Sequence, residues 1–422
     1  MKTAEEKFAI LAQYLSPDRP IRTEQFLKGR RKELAAVEEE LRHFHSVPFV
    51  FGYRGVGKTS LARTAAQYVT PSDREHIYVP CSPQSGMLSI FREIGHEMLS
   101  LALRFGGIET TKKKLEINLS LRPGIKLSLE NETPQLEEFR DVNEAVRTLR
   151  EIEAIVPDAN STVVILDELE ELRVEDRINL AYLIKQLGDQ QFSSRFMLVG
   201  IAENVQELIG AHESVPRYIK EVCLDPLKPQ DLMDIVSEAA QAVEVNISRD
   251  ILVRIAIIGN GFPHFAHLMG KALLTEAVRT RATSIDSTLY SAGVAQAIQD
   301  SIQVLRIAYE TATQRRDDIY KHLLWALADF DVVDVRTDEW KARYEQFATK
   351  KGWPLQSPDR VGNFITRLKS RDYGNVVRNT PITYGSRDTR YRYSRFADTL
   401  MKGHVRLQAE LAGVRLGAQP GL

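Results

Sequence analysis

One stretch decides the fold: Gly52-Tyr53-Arg54-Gly55-Val56-Gly57-Lys58-Thr59. It fits the pattern G-x-x-x-x-G-K-[ST] at every defined position. The apolar run 47–51 predicts a strand before it, and residues 60–66 predict a helix after it. Strand, glycine-rich loop and helix in this order form a P-loop, which binds the phosphates of a nucleotide. The predicted phosphate contacts come from Gly52, Arg54, Gly55, Val56, Gly57, Lys58, Thr59 and Ser60.

Each residue type in the loop has a chemical reason to be there. Glycines let the backbone come close to phosphate oxygens, where a Cβ would obstruct it. The backbone N–H groups and the start of the following helix face the anion. Lys58 can reach the β- and γ-phosphates, and the hydroxyl of Thr59 can hold Mg²⁺. The predicted cofactors are therefore ATP and Mg²⁺.

A second motif supplies the acidic half of such a site. The apolar run 162–166 is typical of a strand buried on both faces, and it ends in Asp167 and Glu168. This is the form of a Walker B element, in which the first carboxylate holds the metal ion and the second positions or deprotonates the attacking water. We assign these roles to Asp167 and Glu168. The alternative is a solvated acidic turn, since Glu170 and Glu171 follow directly.

Composition limits the class of protein. The chain has 422 residues, of which 43% are hydrophobic and 27% charged, as in ordinary globular proteins. No apolar run approaches the about 20 residues of a membrane span, and the charged N-terminus lacks the apolar core of a signal peptide. Two distant cysteines exclude a disulfide scaffold, and the histidines show no metal-ligand spacing. We expect a cytoplasmic protein, without membrane partners, and nucleoid-associated if it binds DNA.

The net charge of −1 hides an asymmetry along the chain. Residues 341–415 contain 16 Lys/Arg and 6 Asp/Glu, a local charge of +10, so the rest carries −11. A basic end on an acidic protein favours binding of a polyanion. The alternative is a solvated basic surface.

The order of predicted elements gives the fold class. Strands at 75–80 and 196–200, separated by helices, indicate a parallel sheet in a three-layer α/β/α core. Apolar and polar residues alternate in 115–121 and again in 125–129, on either side of a turn at 122–124. This pattern predicts an inserted β-hairpin. From Pro229 onward the patterns are helical. The predicted domains are an N-terminal helix and linker (1–25), a P-loop ATPase core with the hairpin insertion at about 112–131 (26–228), a helical lid (229–305), a winged-helix domain (306–412) and a tail (413–422).

Walker A, an Asp-Glu Walker B and a helical segment after the sheet resemble the AAA+ ATPases. Phe26-Leu27-Lys28-Gly29-Arg30-Arg31-Lys32-Glu33-Leu34 is similar to the F-x-G-R-x-x-E-L element of the origin-recognition (Orc-like) branch, with one extra residue before the glycine. One feature departs from that branch. Gly261-Phe262-Pro263-His264 has histidine where initiators carry arginine, and G-x-P resembles the lid of STAND signalling ATPases. This departure favours slow hydrolysis.

The resemblance implies three further site residues. Asn204 lies where AAA+ proteins place a polar sensor, although a helix N-cap explains it equally. Arg217 is the candidate arginine finger, which would stabilise charge on a neighbour's transferred phosphoryl group. A surface salt bridge is the alternative for Arg217, and Arg195 is the alternative finger. His264 would contact the β-phosphate, or else pack within the lid.

The C-terminal region resembles the winged helix of origin-recognition ATPases. Helices are predicted at 319–328, 340–347 and 357–368, with a wing whose tip is at 384–387. The third helix, capped by Ser357, would lie in the DNA major groove. The alternative is a winged helix used for protein contacts. The predicted DNA contacts, mostly to phosphates, are Arg360, Arg367, Lys369, Arg371, Arg387, Arg390 and Arg392.

These features together predict an ATP hydrolase that controls assembly on double-stranded DNA as an ATP-dependent oligomer. The competing interpretation is a signalling or defence switch that acts through protein partners without a DNA role. A third is an adaptor for a separate effector protein, docked on the edge of the 115–129 hairpin.

Overall fold

A computed structural model describes residues 2–44, 46–105, 127–130, 133–190, 192–201, 215–380 and 392–417, without the side chains of 127–135 and 190. The chain divides into two compact units. The sheet unit comprises Pro20–Tyr53 and Gly57–Asp225. The helical unit comprises Met1–Arg19, Arg54–Val56 and Pro226–Leu422. The division into five segments predicted from the sequence stays a prediction.

The sheet unit is built on five parallel strands: β1 (Val47–Gly52), β2 (Ile77–Pro80), β5 (Val163–Asp167), β6 (Arg195–Gly200) and β7 (Ile219–Leu224). Their order is β2-β5-β6-β1-β7. All five residues of β5 and all six of β1 are buried, as expected of strands covered on both faces. The carboxyl ends of β1 and β5 therefore lie at the same edge of the sheet.

Helices surround this sheet and complete the α/β/α core of a P-loop ATPase, as predicted. They are α2 (Arg31–His43), α3 (Lys58–Val69), α4 (Met87–Phe105), α5 (Val142–Glu153) and α6 (Val174–Gln190). Helix α4 buries Phe91, Ile94 and Met98 completely, and α5 packs on it. The predicted helix and strand starts and ends differ from these bounds by a few residues.

Two elements of the sheet unit were missed by sequence reasoning. The edge strand β7 has two consecutive exposed polar residues, Lys220 and Glu221, before the buried Val222. These polar residues interrupt the apolar pattern by which a strand is predicted. A hairpin pairs β3 (Leu127–Glu130) with β4 (Thr133–Leu136), so residues 127–129 form a strand with a partner that was not predicted. The predicted partner 115–121 and turn 122–124 lie outside the described residues.

The helical unit begins with α1 (Ala4–Tyr14) and continues after the sheet unit. Its next helices are α7 (Pro229–Ala242), α8 (Arg249–Gly259), α9 (Pro263–Arg279), α10 (Ser287–Gln299) and α11 (Gln303–Thr313). We call α7 to α10 the lid helices. Gly261, between α8 and α9, has φ +84°, and a Cβ there would come within 2.4 Å of Pro226. The G-x-P turn therefore requires glycine at this position.

The rest of the helical unit, here called the C-terminal module, mixes helices with a small sheet. In chain order it contains α12 (Ile319–Ala328), β8 (Val335–Arg336), α13 (Thr337–Lys351), α14 (Pro358–Leu368), β9 (Val377–Asn379), β10 (Tyr393–Phe396) and α15 (Met401–Leu411). The sheet is antiparallel in the order β8-β10-β9.

This element order is the one required by the winged-helix interpretation, which stays a prediction. The core of the module is held by Trp340, which is fully buried and donates its indole N–H to Leu323 O at 2.7 Å. The predicted capping by Ser357 is wrong: Ser357 is the N-cap residue of α14, but its hydroxyl makes no capping hydrogen bond. The predicted wing tip 384–387 lies outside the described residues.

Within the described residues, no helix combines the length and the apolar composition that crossing a membrane would require.

Candidate nucleotide site

The first part of the candidate site is the loop between β1 and α3. Gly52 has φ +143°, and a Cβ at this position would lie 2.5 Å from Leu224 O, so a larger residue would collide with the neighbouring strand. Gly57, with φ +98°, occupies the N-cap position of α3. The loop thus uses glycine where its backbone is left-handed or tightly approached. A helix that begins directly after such a loop presents free N–H groups to an anion.

Lys58 is the first residue of α3, and its side chain is almost completely buried, with 8% exposed. Its ammonium group donates hydrogen bonds to Gly52 O at 3.2 Å and to Tyr53 O at 2.9 Å. The cation therefore lies across the loop that would hold the phosphates. An ammonium group in this position can move to a phosphate oxygen by a change of side-chain rotamer.

The metal-ligand pair predicted from two distant motifs is brought together. The hydroxyl of Thr59 donates to Oδ2 of Asp167 at 2.7 Å, and Asp167, at the end of β5, is 2% exposed. The other carboxylate oxygen accepts the backbone N–H of Glu168 at 2.8 Å. A hydroxyl and a carboxylate are the hard oxygen ligands that Mg²⁺ prefers. The residues present therefore fit a magnesium–triphosphate group.

Glu168 differs from Asp167 in the exposure of its side chain. Its backbone is left-handed, with φ +59°, and it precedes a short 3₁₀ turn, Leu169–Glu171. Its side chain is exposed where that of Asp167 is buried. An exposed carboxylate next to the metal ligand can position and deprotonate a water molecule. This role of Glu168 stays a prediction.

Sequence reasoning missed Tyr78. Its phenol donates to the same Oδ2 of Asp167, at 3.0 Å, from the neighbouring strand β2. Burial, together with the Asp167 carboxylate, raises the pKa of Tyr78 to about 12, so the phenol remains a donor at neutral pH. The guanidinium of Arg63, on α3, lies 3.7 Å from the centre of the Tyr78 ring. Tyr78 and Asp167 are 89 residues apart, and nothing local in the sequence marks the contact.

Glu170 was also missed, because it was considered only as part of an acidic turn. Its Oε2 accepts the backbone N–H of Ile201 at 2.8 Å, directly after β6. Arg177 in turn donates to Glu170 O at 3.3 Å. A hydrogen bond therefore connects the turn after Asp167 to the end of β6, the position at which AAA+ proteins carry a sensor. The predicted sensor, Asn204, lies outside the described residues.

Three residues of the phosphate-binding loop, Arg54–Val56, belong to the helical unit. Arg54 Nη1 lies 3.3 Å from Oδ2 of Asp398, and the hydroxyl of Thr399 donates to Arg54 O at 3.1 Å. A Cβ on Gly55 would come within 2.6 Å of the Leu400 side chain. The segment 398–400 between β10 and α15 thus packs against the tip of the loop, a contact that sequence reasoning missed.

His264 begins the lid helix α9 with its ring half-buried. Its Nδ1 lies 3.3 Å from Pro17 O, and its Nε2 is buried and has no hydrogen-bond partner among the described residues. Burial lowers the pKa of His264, so the ring is neutral at pH 7. A buried nitrogen without a partner is costly unless a ligand completes it. The predicted contact of His264 with the β-phosphate stays a prediction.

The remaining predicted site residues lie as follows. Arg217 is exposed in the 3₁₀ turn Val215–Tyr218, as a finger for a neighbouring subunit requires. Arg195 donates to Phe44 O at 3.0 Å, within its own unit. Ser60 accepts the backbone N–H of Ile21 at 3.1 Å through its hydroxyl. The roles of these residues stay predictions.

The predicted DNA contacts divide into two groups. Arg360, Arg371 and Arg392 are exposed on the C-terminal module. Arg367 donates to the phenol of Tyr320 at 3.2 Å, and Lys369 donates to Asn379 at 2.6 Å and Ser394 at 3.1 Å. Arg387 and Arg390 lie outside the described residues.

Part of the basic excess at the C-terminal end is internal. Arg395, Lys402 and Arg406 are all buried, with exposed fractions of 7% or less. Lys402 donates to Phe330 O and Val332 O, and Arg406 pairs with Asp331 at 3.1 Å. The local charge counted from sequence therefore overstates the charge that a polyanion would meet.

Residues 20–366 match the model of one protein family, Novel STAND NTPase 1 (nSTAND1). The chain belongs to this family. It is therefore a P-loop nucleoside triphosphatase, for which ATP with Mg²⁺ is the usual cofactor, and the STAND resemblance of its G-x-P lid is confirmed. No curated protein sequence matches the chain.

Several solved structures are similar to the chain. The Walker-type ATPase of Pyrococcus abyssi is 17% identical, with a TM-score of 0.51 over 92% of this chain and 99% of that one. The Aeropyrum pernix Orc1 protein, solved in complex with DNA, is 15% identical, with a TM-score of 0.45 over 92% and 94%. Cdc6p from Pyrobaculum aerophilum is 14% identical, with a TM-score of 0.42 over 96% and 97%. Similarity at such low sequence identity indicates a shared fold. It gives no information on the ligands or partners of this chain.

Proposed function

We propose that this nSTAND1 protein is a nucleotide-controlled switch in which the C-terminal module reads the state of the P-loop. The observation that carries the proposal is the packing of 398–400 against Arg54 and Gly55 at the tip of the loop. That tip must close around phosphates when a nucleotide binds. A conformational change of the tip would therefore alter the packing of the turn that joins β10 to α15.

The individual contacts suit a switch because each is weak. Arg54 is 63% exposed and Asp398 23%, and an ion pair that open to solvent contributes about 0–1 kcal/mol. The hydrogen bond from Thr399 adds a similar amount. Leu400 is buried, so its position depends on Gly55 having no side chain. Such an interface can open at a cost that nucleotide binding is able to supply.

Within the site, we assign Lys58 to the β- and γ-phosphates, and Thr59 with Asp167 to Mg²⁺. Glu168 would position the attacking water. Bound ATP–Mg²⁺ would supply the phosphoryl group whose transfer to water changes the state of the switch. Hydrolysis would be slow, because the lid carries the neutral His264 in place of the initiators' arginine. Arg217 would act only when a second copy of the chain completes the site.

The rate of nucleotide release tests this coupling. Asp398→Asn and Leu400→Ala each remove a contact to the loop tip while leaving every predicted phosphate-binding residue unchanged, so we expect both to speed the release of a fluorescent ADP analogue. The release rate should rise about twofold to fivefold in Asp398→Asn, which loses the ion pair, and by more in Leu400→Ala, which loses a buried side chain. Asp372→Asn, an exposed aspartate of the same module, is the control. Release rates equal to wild type in both variants would refute the coupling.

DNA binding by the C-terminal module is a second candidate function. The exposed Arg360, on the helix predicted to enter the major groove, together with Arg371 and Arg392, favours it. The internal pairing of Lys369, Lys402 and Arg406 weakens it. If the module binds DNA, ATP would control assembly of several copies on the duplex, and an effector protein could join that assembly.

Fluorescence anisotropy with duplex DNA decides between the two. The titration is made with ATP, with ADP and without nucleotide, at 50 and 200 mM salt. Binding through about three phosphate contacts should weaken by tenfold or more over that range of salt. The triple variant Arg360→Ala/Arg371→Ala/Arg392→Ala should abolish it. Absence of binding in every state would leave protein partners as the output of the switch.

A further inference from the structure

A cavity of about 1060 Å³ lies within the helical unit. Its walls come from the lid helices α7, α8 and the start of α10, and from the segment that follows α15. None of the residues that line it belongs to the predicted nucleotide site. The volume is slightly above the usual range for small-molecule sites, about 300–1,000 Å³.

The inner wall is largely apolar. Leu227, Met233, Ile251, Ile257 and Ile285 all line the cavity. Leu227 and Ile285 are buried, whereas Met233, Ile251 and Ile257 remain partly accessible from the cavity. Such a wall suits a planar or aliphatic ligand body, whose transfer from water is favourable by about 25 cal/mol per Å² of surface buried.

Two arginines in the wall are fixed and already partnered. Arg254 pairs with Glu410 and donates to Leu416 O at 3.2 Å. Arg406 donates to Ala328 O at 2.8 Å and pairs with Asp331 at 3.1 Å. Because both guanidinium groups are paired with carboxylates, they add little net positive charge and have few donors left for a ligand.

Two other arginines at the cavity are exposed. Arg249 begins α8 and Arg415 follows α15, and both line the cavity. To other described residues neither makes a hydrogen bond or an ion pair. Three carboxylates line the cavity as well, but Asp331 faces Arg406 and Asp286 accepts the backbone N–H of Leu289 at 2.8 Å. Asp250 is the third, so the lining carries four cations and three anions.

We propose that this cavity binds a small organic anion, with its charged group between Arg249 and Arg415 and its apolar body against the inner wall. Guanidinium groups form the strongest hydrogen bonds with carboxylate, phosphate and sulfonate oxygens. The ligand would contact the lid helices and the C-terminal segment at once. It would therefore favour the arrangement in which they are held together, a consequence that rests on the proposed switch. The binding itself does not.

The probe for the test is 8-anilinonaphthalene-1-sulfonate, an aromatic anion whose fluorescence rises in apolar surroundings. It is titrated into the full chain with saturating ADP, so that the nucleotide site is filled. We expect one saturable site. Arg249→Glu/Arg415→Glu should weaken binding at least about tenfold, since each lost charge-assisted contact is worth about that much. Met233→Trp, which narrows the apolar part of the cavity without changing charge, should also weaken binding.

The matched control is Arg279→Glu/Arg281→Glu, two exposed arginines of the lid outside the cavity. It should bind the probe as wild type does. The inference is overturned if wild type shows no saturable site in the presence of ADP, or if the two double variants bind equally well. Release of the ADP analogue is measured in the same samples. Probe binding that leaves this rate unchanged would keep the binding site and remove its link to the switch.

Discussion

The hydroxyl of Thr59 and the Oδ2 atom of Asp167 lie 2.7 Å apart, although 108 residues separate them in the chain. The parallel order of the sheet produces this approach, because β1 and β5 flank β6 and end at the same edge. Both residues are then placed to ligate one metal ion. Removal of Mg²⁺ with a chelator should therefore weaken binding of ATP more than binding of adenosine, which an equilibrium titration of both would show.

Lys58→Ala should abolish tight ATP binding. The ammonium group donates to two loop carbonyls and would contact a bound phosphate instead, and the loss of one charge-assisted contact weakens binding about tenfold to a hundredfold. Lys350→Ala, an exposed lysine on α13, serves as the control. Calorimetric titration gives both affinities. An unchanged affinity in Lys58→Ala would refute the P-loop assignment.

Glu168→Gln should bind ATP as tightly as wild type but turn it over more slowly, by about 10²- to 10⁴-fold, because the amide cannot accept a proton from water. Phosphate release under saturating ATP is the measurement. Glu171→Gln changes an exposed acid in the same turn and should keep its activity. Wild-type turnover in Glu168→Gln would assign the water-positioning role to another residue.

Tyr78→Phe should raise the Mg²⁺ concentration needed for tight ATP binding. The variant removes one of two side-chain donors to Oδ2 of Asp167, so the carboxylate loses part of its orientation. Loss of a hydrogen bond to a charged group predicts a shift of about tenfold. Tyr68→Phe removes a phenol that donates to Glu24, away from the metal ligands, and should show no shift. Equal magnesium dependence in the two variants would make Tyr78 merely a packing residue.

Acid should destabilise the helical unit. Burial lowers the pKa of His267 and of His404 to about 4, below the ordinary value of 6.5. The unfolded chain therefore binds more protons than the folded one between pH 6.5 and 4, and stability must fall as the pH falls through this window. Thermal unfolding at several pH values measures the slope. His404→Gln should flatten it and the exposed His43→Gln should not; a slope of opposite sign would contradict the account.

Much of the nucleotide site was predictable because its information is local. The eight residues from Gly52 to Thr59 specify loop, helix start and phosphate ligands together, and the apolar strand before Asp167 specifies its position at the sheet edge. In the same way, continuous or alternating apolar runs predicted β1, β5 and β6. These patterns arise because residues that are buried in a strand are apolar, and apolar residues can be read from the sequence.

The contacts that were missed depend on residues far apart. Asp398 meets Arg54 across 344 residues, and Tyr78 meets Asp167 across 89. Neither residue carries a local pattern that indicates its partner. The charge count failed for a related reason. Arg406 counts as a surface charge in the sequence, but it is buried with five hydrogen-bond contacts, and only the packing of α15 reveals this.

The most direct test of the switch is amide hydrogen exchange of residues 393–411, measured without nucleotide, with ADP and with a non-hydrolysable ATP analogue. This segment contains β10, the turn that contacts Arg54 and Gly55, and α15. We expect its protection to differ between the ADP and ATP-analogue states, and to become independent of nucleotide in Lys58→Ala. Identical exchange in all three states of the wild type would contradict a C-terminal module that reads the nucleotide.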